Sequence, residues 1–298
     1  MATLRPKTTT HLQPLYMNGL QGRMLYLPPP KGKSKEILLV YGHFASLERY
    51  VSLATALNRY GAVSMPDLPG FGGMQSFYKI GMTPTLDNLA DYLAAFIKLR
   101  YKNRRITIVG VSFGFIVVTK MLQKYPQIAG KVNLLVSLTG FVHKDDFVFS
   151  KPKYFALQHG SSLSAHRAPS WLTHNVLLRP SLVRLAYRVR GIDPASEEAQ
   201  FKIVLWRSND TQTYMKTANE MLTLDLCKHH VDLPVYHVAV GADHYFDNHI
   251  VEQHMKVVFS DFTLLKSKQP KHAIPMLASA KDISPLLPTK LRELLRNA

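Results

Sequence analysis

Ile106-Thr-Ile-Val-Gly-Val-Ser-Phe-Gly114 is the stretch on which the reading of this chain turns. Ile106 to Val111 is a nearly unbroken apolar run, the pattern of a strand buried on both faces of a parallel sheet. Phe115 to Tyr125 reads as a helix. Between them stands Gly110-Val-Ser112-Phe-Gly114, a serine flanked by two glycines in a strand–turn–helix setting. A turn that sharp holds its central residue in a strained backbone and leaves no room for side chains at the flanking positions. It lifts the serine oxygen above the sheet, beside the free N–H groups of the helix start.

The same alternation extends in both directions. Upstream, Leu12 to Leu27 reads as a hairpin turning at Asn18-Gly19, followed by a polar linker, Pro28 to Lys35. A buried strand is expected over Ile37–Tyr41, a helix over Arg49–Arg59, and a short strand over Ala62–Met65 ending at Pro66. An amphipathic helix is expected over Thr85–Leu99 and a strand over Val132–Leu138. Strand and helix thus alternate from Ile37 to Leu138, which implies parallel strands joined by right-handed crossovers. From His143 to His230 no convincing buried strand occurs, only helical stretches. Strands resume over Leu233–Val240 and Met255–Phe262, and a last helix is expected near Thr289–Arg296. The expected architecture is α/β: a mostly parallel sheet with helices on both faces, formed by residues 1–142 and 231–298, with a helical cap insertion over 143–230 far longer than an ordinary loop.

Composition agrees with a large packed core. Of 298 residues, 46% are hydrophobic and 19% charged, which excludes a mainly disordered chain, a collagen-like repeat and a coiled coil. The single cysteine, Cys227, excludes an intramolecular disulfide and any multi-cysteine metal cage. The net charge of +17 favours contact with polyanions, including weak contact with anionic membranes. No basic run is interleaved with aromatics in a nucleic-acid motif, so nucleic acid is not an expected partner. No apolar stretch reaches membrane-spanning length, and MATLRPKTTTHLQP has no apolar core, so the expected location is the cytoplasm.

Three stretches carry a family resemblance. Ile37-Leu-Leu-Val-Tyr-Gly42, Pro66-Asp-Leu-Pro-Gly-Phe-Gly72 and the Gly110–Gly114 elbow resemble, in order and spacing, the α/β-hydrolase superfamily. The departures are Tyr41-Gly42, where many members have His-Gly, and Phe115, where many have a further glycine. Asp67, Gly70 and Gly72 are read as fixing a turn, with Asp67 bonding the backbone ahead of it.

The resemblance implies a triad of Ser112, an acid and a histidine in that chain order. Gly241-Ala242-Asp243 resembles the family's acid stretch, with Asp247 as a rival along the same loop. Lys271-His272-Ala273-Ile274-Pro275 resembles the histidine loop, and His272 is the only histidine beyond the last strand. The implied oxyanion donors are the backbone N–H groups of His43 and Phe113. Phe44, Trp171 and His244 are candidate substrate contacts; the side chains of His43, His244 and His249 are read first as polar loop residues, with lining of the site mouth as the other reading. The apolar stripe from Trp171 to Tyr187 is expected to roof the pocket with one face. No metal or cofactor is implied.

The activity expected is hydrolysis of a small or medium apolar carboxylic ester through an acyl-enzyme; the partner is a small-molecule ester, and oligomeric state is left open. Members acting on epoxides or haloalkanes carry Asp at the elbow, which Ser112 argues against. Two alternatives stand beside it. One is a non-catalytic ligand-binding or scaffold member. The other is a monoacylglycerol- or lysophospholipid-type lipase at anionic membrane surfaces, for which basic residues should cluster around the cap mouth.

Overall fold

Asn18 and Gly19 both take positive φ, 52° and 79°. Two consecutive left-handed residues match the right-handed twist of a tight hairpin, and an Asn-Gly pair tolerates them at little cost. They join β1 (Leu12–Met17) to β2 (Leu20–Leu27). The computed structural model describes residues 11–241, 243–269, 272, 274–275 and 277–298.

The remaining strands are β3 (Glu36–Val40), β4 (Ala62–Pro66), β5 (Ile106–Val111), β6 (Val132–Leu138), β7 (Val231–Val240) and β8 (Phe259–Ser267). They form one eight-stranded sheet in the order β1-β2-β4-β3-β5-β6-β7-β8. The hairpin and the β2–β4 pair are antiparallel, and every later pair is parallel. β3, β4 and β5 are buried at every position, as central strands covered on both faces must be.

The crossovers are α1 (Leu47–Asn58), α2 (Leu86–Arg100) and α3 (Phe113–Lys124). The Thr85 side chain caps α2 by accepting from Asn88 N–H, so the helix starts one residue after the expected boundary. Phe115 is fully buried and lies 5.7 Å, ring to ring, from Phe259 on β8, two strands beyond β6. A Cβ at Gly140 would run into it. The glycine missing after the elbow is therefore replaced by a ring that fills the sheet's own underside.

Two expectations need correction. Only the second half of the expected strand Met255–Phe262 is strand. Asn248–Val258 is a helix, α9, and β8 begins only at Phe259. Val251, Met255 and Val258, spaced by four and three residues, are its buried face. Asp67 does not bond the backbone ahead. Its buried carboxylate accepts from Tyr41 Oη–H at 2.8 Å and from Arg23 Nε–H at 3.3 Å, tying β2, β3 and β4 together at one edge of the sheet.

Between β6 and β7 lie five helices: α4 (Lys151–Ser164), α5 (Arg167–Leu172), α6 (Pro180–Val189), α7 (Glu197–Ser208) and α8 (Thr211–Leu222). A π-helical turn, Thr173–Leu177, joins α5 to α6. The α7–α8 corner is fixed to the core. Asp210 N–H donates to Gly70 O at 2.8 Å, Gly73 N–H to Ser208 O at 3.1 Å, and Gly72 N–H to Asn209 Oδ1 at 3.2 Å. Gly70 and Gly72 have φ of 86° and 60°, so they do form the expected turn. They also seat the inserted helices, because a Cβ at Gly70 would overlap Thr213.

Candidate active site

Ser112, between β5 and α3, has φ 48° and ψ −115°, a conformation that L-residues rarely adopt. Two contacts hold it there. Ser112 N–H donates to Leu138 O at 3.0 Å, and Phe115 N–H donates to Ser112 O at 2.9 Å. The flanking glycines are needed for space. A Cβ at Gly114 would overlap the carbonyls of Val40 and Tyr41, and one at Gly110 would stand 2.7 Å from Phe115 Cα. Gly42 approaches from the other side, where a Cβ would lie 3.5 Å from Ser112 Cβ. The chain leading into His43 therefore runs directly against the serine.

His272 spans the gap between the serine and an acid. Its Nε2 lies 3.1 Å from Ser112 Oγ and its Nδ1 2.6 Å from Asp243 Oδ2. The other Asp243 oxygen accepts from the backbone N–H groups of Tyr245 at 2.8 Å and Phe246 at 3.3 Å. Burial alone would raise the Asp243 carboxyl. The hydrogen bond and charge of His272, with those two N–H groups, hold it below its ordinary value. Tyr245 and Phe246 pack on the imidazole, with ring centroids 5.3 and 5.1 Å away. Asp247, the rival, is occupied elsewhere: its Oδ1 accepts from His249 N–H at 2.9 Å and Ile250 N–H at 3.3 Å, as the N-cap of α9. Ala242, Lys271 and Ala273, which belong to the acid and histidine stretches read from the sequence, lie outside the described residues.

A family profile described as alpha/beta hydrolase fold matches residues 36–268. The chain belongs to the α/β-hydrolase family. The comparison with curated proteins gave no match. Among solved structures, this α/β hydrolase is similar to a thermophilic esterase from Thermogutta terrifontis, at 16% identity over 96% of this chain and 98% of that one, with a TM-score of 0.63. It is also similar to the enol-lactonase from Burkholderia xenovorans LB400, at 12% identity over 86% and 91%, with a TM-score of 0.59. The epoxide hydrolase CorEH matches at 16% identity over 91% and 93%, with a TM-score of 0.63. At these identities the likeness is one of fold.

The surroundings of the elbow in this α/β hydrolase are aromatic. The His43 ring stacks on Tyr214 of α8 at 4.2 Å and meets the edge of Phe113 at 5.1 Å, while its Nε2 lies 2.9 Å from Thr217 Oγ1. Desolvation among these rings pushes the imidazole down to about 3, so it is neutral at physiological pH. Phe44, with φ 51°, sets its ring 4.3 Å from Trp206 of α7 and 5.9 Å from Tyr214.

The remaining residues picked from the sequence are exposed. Trp171 is 62% exposed, and the tryptophan that meets Phe44 is Trp206. His244 and His249 are exposed. The expected inward stripe from Trp171 to Tyr187 is largely turned outward: Leu172, Leu177, Leu182 and Leu185 are all exposed. Period alone shows that a helix has an apolar face but not what that face meets.

Arg49 of α1 gave no signal in the sequence. Its buried guanidinium donates to Phe44 O at 2.8 Å and to Ile274 O at 2.9 Å, joining the loop after β3 to the loop that carries His272. Tyr214 and Thr217 were equally silent, because only the fold brings α8 over His43. Among the described residues, no group of three His, Cys, Asp or Glu side chains is arranged to hold a metal ion. No helix of the described residues is long and apolar enough to cross a membrane.

Proposed function

We propose that this α/β hydrolase cleaves a carboxylic ester by way of an acyl-enzyme on Ser112. The single observation that carries the reading is the His272 ring, placed between Ser112 Oγ at 3.1 Å and Asp243 Oδ2 at 2.6 Å at the strained turn between β5 and α3.

His272 Nε2 takes the Ser112 proton as Oγ bonds to the acyl carbon, and the carbonyl π electrons move to oxygen. Asp243 keeps the proton on Nδ1 and stabilises the imidazolium. The backbone N–H groups of Phe113 and His43 receive the oxyanion, and each such donor is worth about 2.7–4 kcal/mol of barrier. The tetrahedral carbon then expels the alkoxide, which leaves as the alcohol with the proton from Nε2. Water attacks the acyl-enzyme with His272 again as base, releasing the acid and restoring Ser112. The neutral His43 ring supplies a fixed wall rather than a charge.

Phe44, Trp206 and Tyr214 form the apolar surface against which the acyl or alcohol group packs, with the helices of 143–230 as its lid. The test is a panel of p-nitrophenyl esters of rising chain length, run with the wild type and Ser112→Ala, together with labelling by a serine-directed fluorophosphonate. Turnover and labelling that both vanish in Ser112→Ala support the proposal. Labelling without turnover of any ester would point to a binding member of the family. Turnover retained by Ser112→Ala would overturn the nucleophile.

A further inference from the structure

We propose that the outer part of the inserted segment, residues 151–192 centred on α6, is a docking surface for anionic lipid bilayers. Three observations converge on it.

The first is charge. Between Phe147 and Ile192 there is no Asp or Glu, yet Lys151, Lys153, Arg167, Arg179, Arg184, Arg188 and Arg190 all fall within it. A partner for this stretch must itself be anionic.

The second is the direction of the apolar side chains. In α6, Leu182, Leu185, Ala186 and Val189 recur at i, i+3, i+4 and i+7 and all face solvent, with Leu185 55% and Val189 81% exposed. Val183 and Tyr187, half-buried, are the side turned to the protein, and no α6 residue is buried. Arg184 and Arg188, also exposed, lie one turn apart on one side of the stripe. Leu177 and Trp171 continue the exposed apolar surface along the chain.

The third is mechanical. A ten-residue helix gains little from its own hydrogen bonds in water, and α6 obtains almost no tertiary burial to offset that. The α7–α8 corner, by contrast, is pinned to residues 70–73, so the rim of the elbow does not depend on α6.

An anionic interface satisfies all three at once. Leucine and valine enter the acyl boundary while arginines meet the phosphate headgroups above it. Nucleic acid would take the charge and leave the aliphatic stripe in water. A second copy meeting this face with its own would set arginine against arginine. The surface is connected to the site through His174, whose Nδ1 lies 2.9 Å from Thr211 Oγ1 at the start of α8, the helix that stacks on His43.

The experiment is co-sedimentation of the full chain with phosphatidylcholine vesicles and with vesicles containing phosphatidylglycerol, at low and raised salt. Binding should require phosphatidylglycerol and weaken with salt. Leu185→Asp with Val189→Asp, and separately Arg184→Glu with Arg188→Glu, should each lower the bound fraction about tenfold or more. Circular dichroism and thermal unfolding report whether these variants are folded, independently of any ester turnover. Should they not fold, a second readout stands. In Trp206→Phe, Trp171 is the one remaining tryptophan of the chain's two, and its emission should shift to the blue on phosphatidylglycerol vesicles. Absence of sedimentation, equal binding to neutral vesicles, or folded variants that bind as well as the wild type would overturn the proposal. So would lipid-free self-association lost in the leucine–valine variant, or retention of nucleic acid in preference to lipid.

Discussion

The buried guanidinium of Arg49 donates to the carbonyl of the half-buried Phe44 at 2.8 Å. Phe44 follows the residue proposed as an oxyanion donor, and the same guanidinium reaches Ile274, two residues beyond His272. One side chain on α1 therefore sets the distance between the loop that would receive charge and the loop that would move the proton.

Replacing Arg49 by Met keeps the volume and removes both bonds. We expect kcat to fall ~10- to 100-fold with KM changed far less, because small displacements of catalytic groups cost rate before they cost affinity. Arg49→Lys, which retains one donor, should recover part of the loss. Steady-state kinetics on the preferred p-nitrophenyl ester checks this; a loss confined to KM would assign Arg49 to the pocket instead.

Asp243 and Asp247 should separate cleanly. Asp243→Asn leaves the imidazole with the wrong tautomer and should lower kcat by ~10⁴. Asp247→Asn should leave kcat nearly unchanged, since asparagine caps almost as well, while Asp247→Ala should lose ~1 kcal/mol of stability. Urea unfolding and ester turnover of the three variants provide the check.

Gly114→Ala should be among the most damaging small substitutions in the chain. The new methyl would press on the carbonyl oxygens of Val40 and Tyr41, which are fixed in β3 and the turn after it. With backbone on both sides the clash has no flexible end to move, and a loss of ~1–3 kcal/mol or more is expected. Thermal unfolding measures it directly; an unchanged Tm would mean that the elbow is looser than its geometry.

Stability should fall on the acid side of neutrality. His237, buried in β7 with its Nδ1 2.9 Å from Ser137 Oγ, is pushed down to about 4 by desolvation, and His43 to about 3. The unfolded chain takes up protons near pH ~6.5 that these native imidazoles refuse, so stability is lost as pH falls from there towards about 4. Asp243 has the same sign: a carboxyl held low when folded contributes stability above its unfolded value, which disappears as acid protonates the native form. Urea titrations between pH 7 and 4 should show this slope. His237→Gln should reduce it by up to one proton, or ~1.4 kcal/mol per pH unit.

Trp206→Ala should move the preferred ester towards longer or bulkier groups, with a change in selectivity of ~1–3 kcal/mol. Trp171→Ala should leave the profile as it is, since that side chain faces outward. Chain-length profiles of the two variants decide which tryptophan meets the substrate.

The sheet was legible because its central strands are buried on both faces, and a strand of that kind is largely apolar. β5 and β6 fall on the expected residues, and the Asn18-Gly19 turn carries the positive φ values its composition called for. The elbow was legible for a steric reason: only glycine fits beside the carbonyls of residues 40 and 41, so the spacing of Gly110, Ser112 and Gly114 is itself a record of close packing. α9 was missed because a buried face spaced over Val251, Met255 and Val258 is nearly as apolar, residue for residue, as the strand that follows it.

What the chain alone did not determine was which way the inserted helices face. The stripe from Trp171 to Tyr187 has helical periodicity, and periodicity is a property of one helix. Burial is a property of two surfaces, and the second surface exists only once α7 and α8 have been tied to Gly70, Gly72 and Gly73 by hydrogen bonds between residues more than a hundred positions apart. The same holds for Arg49, whose two partners lie 5 and 225 residues away. Local sequence settled the strands and the turn, because local sterics dictate them; the walls of the site were decided by contacts that no local window contains.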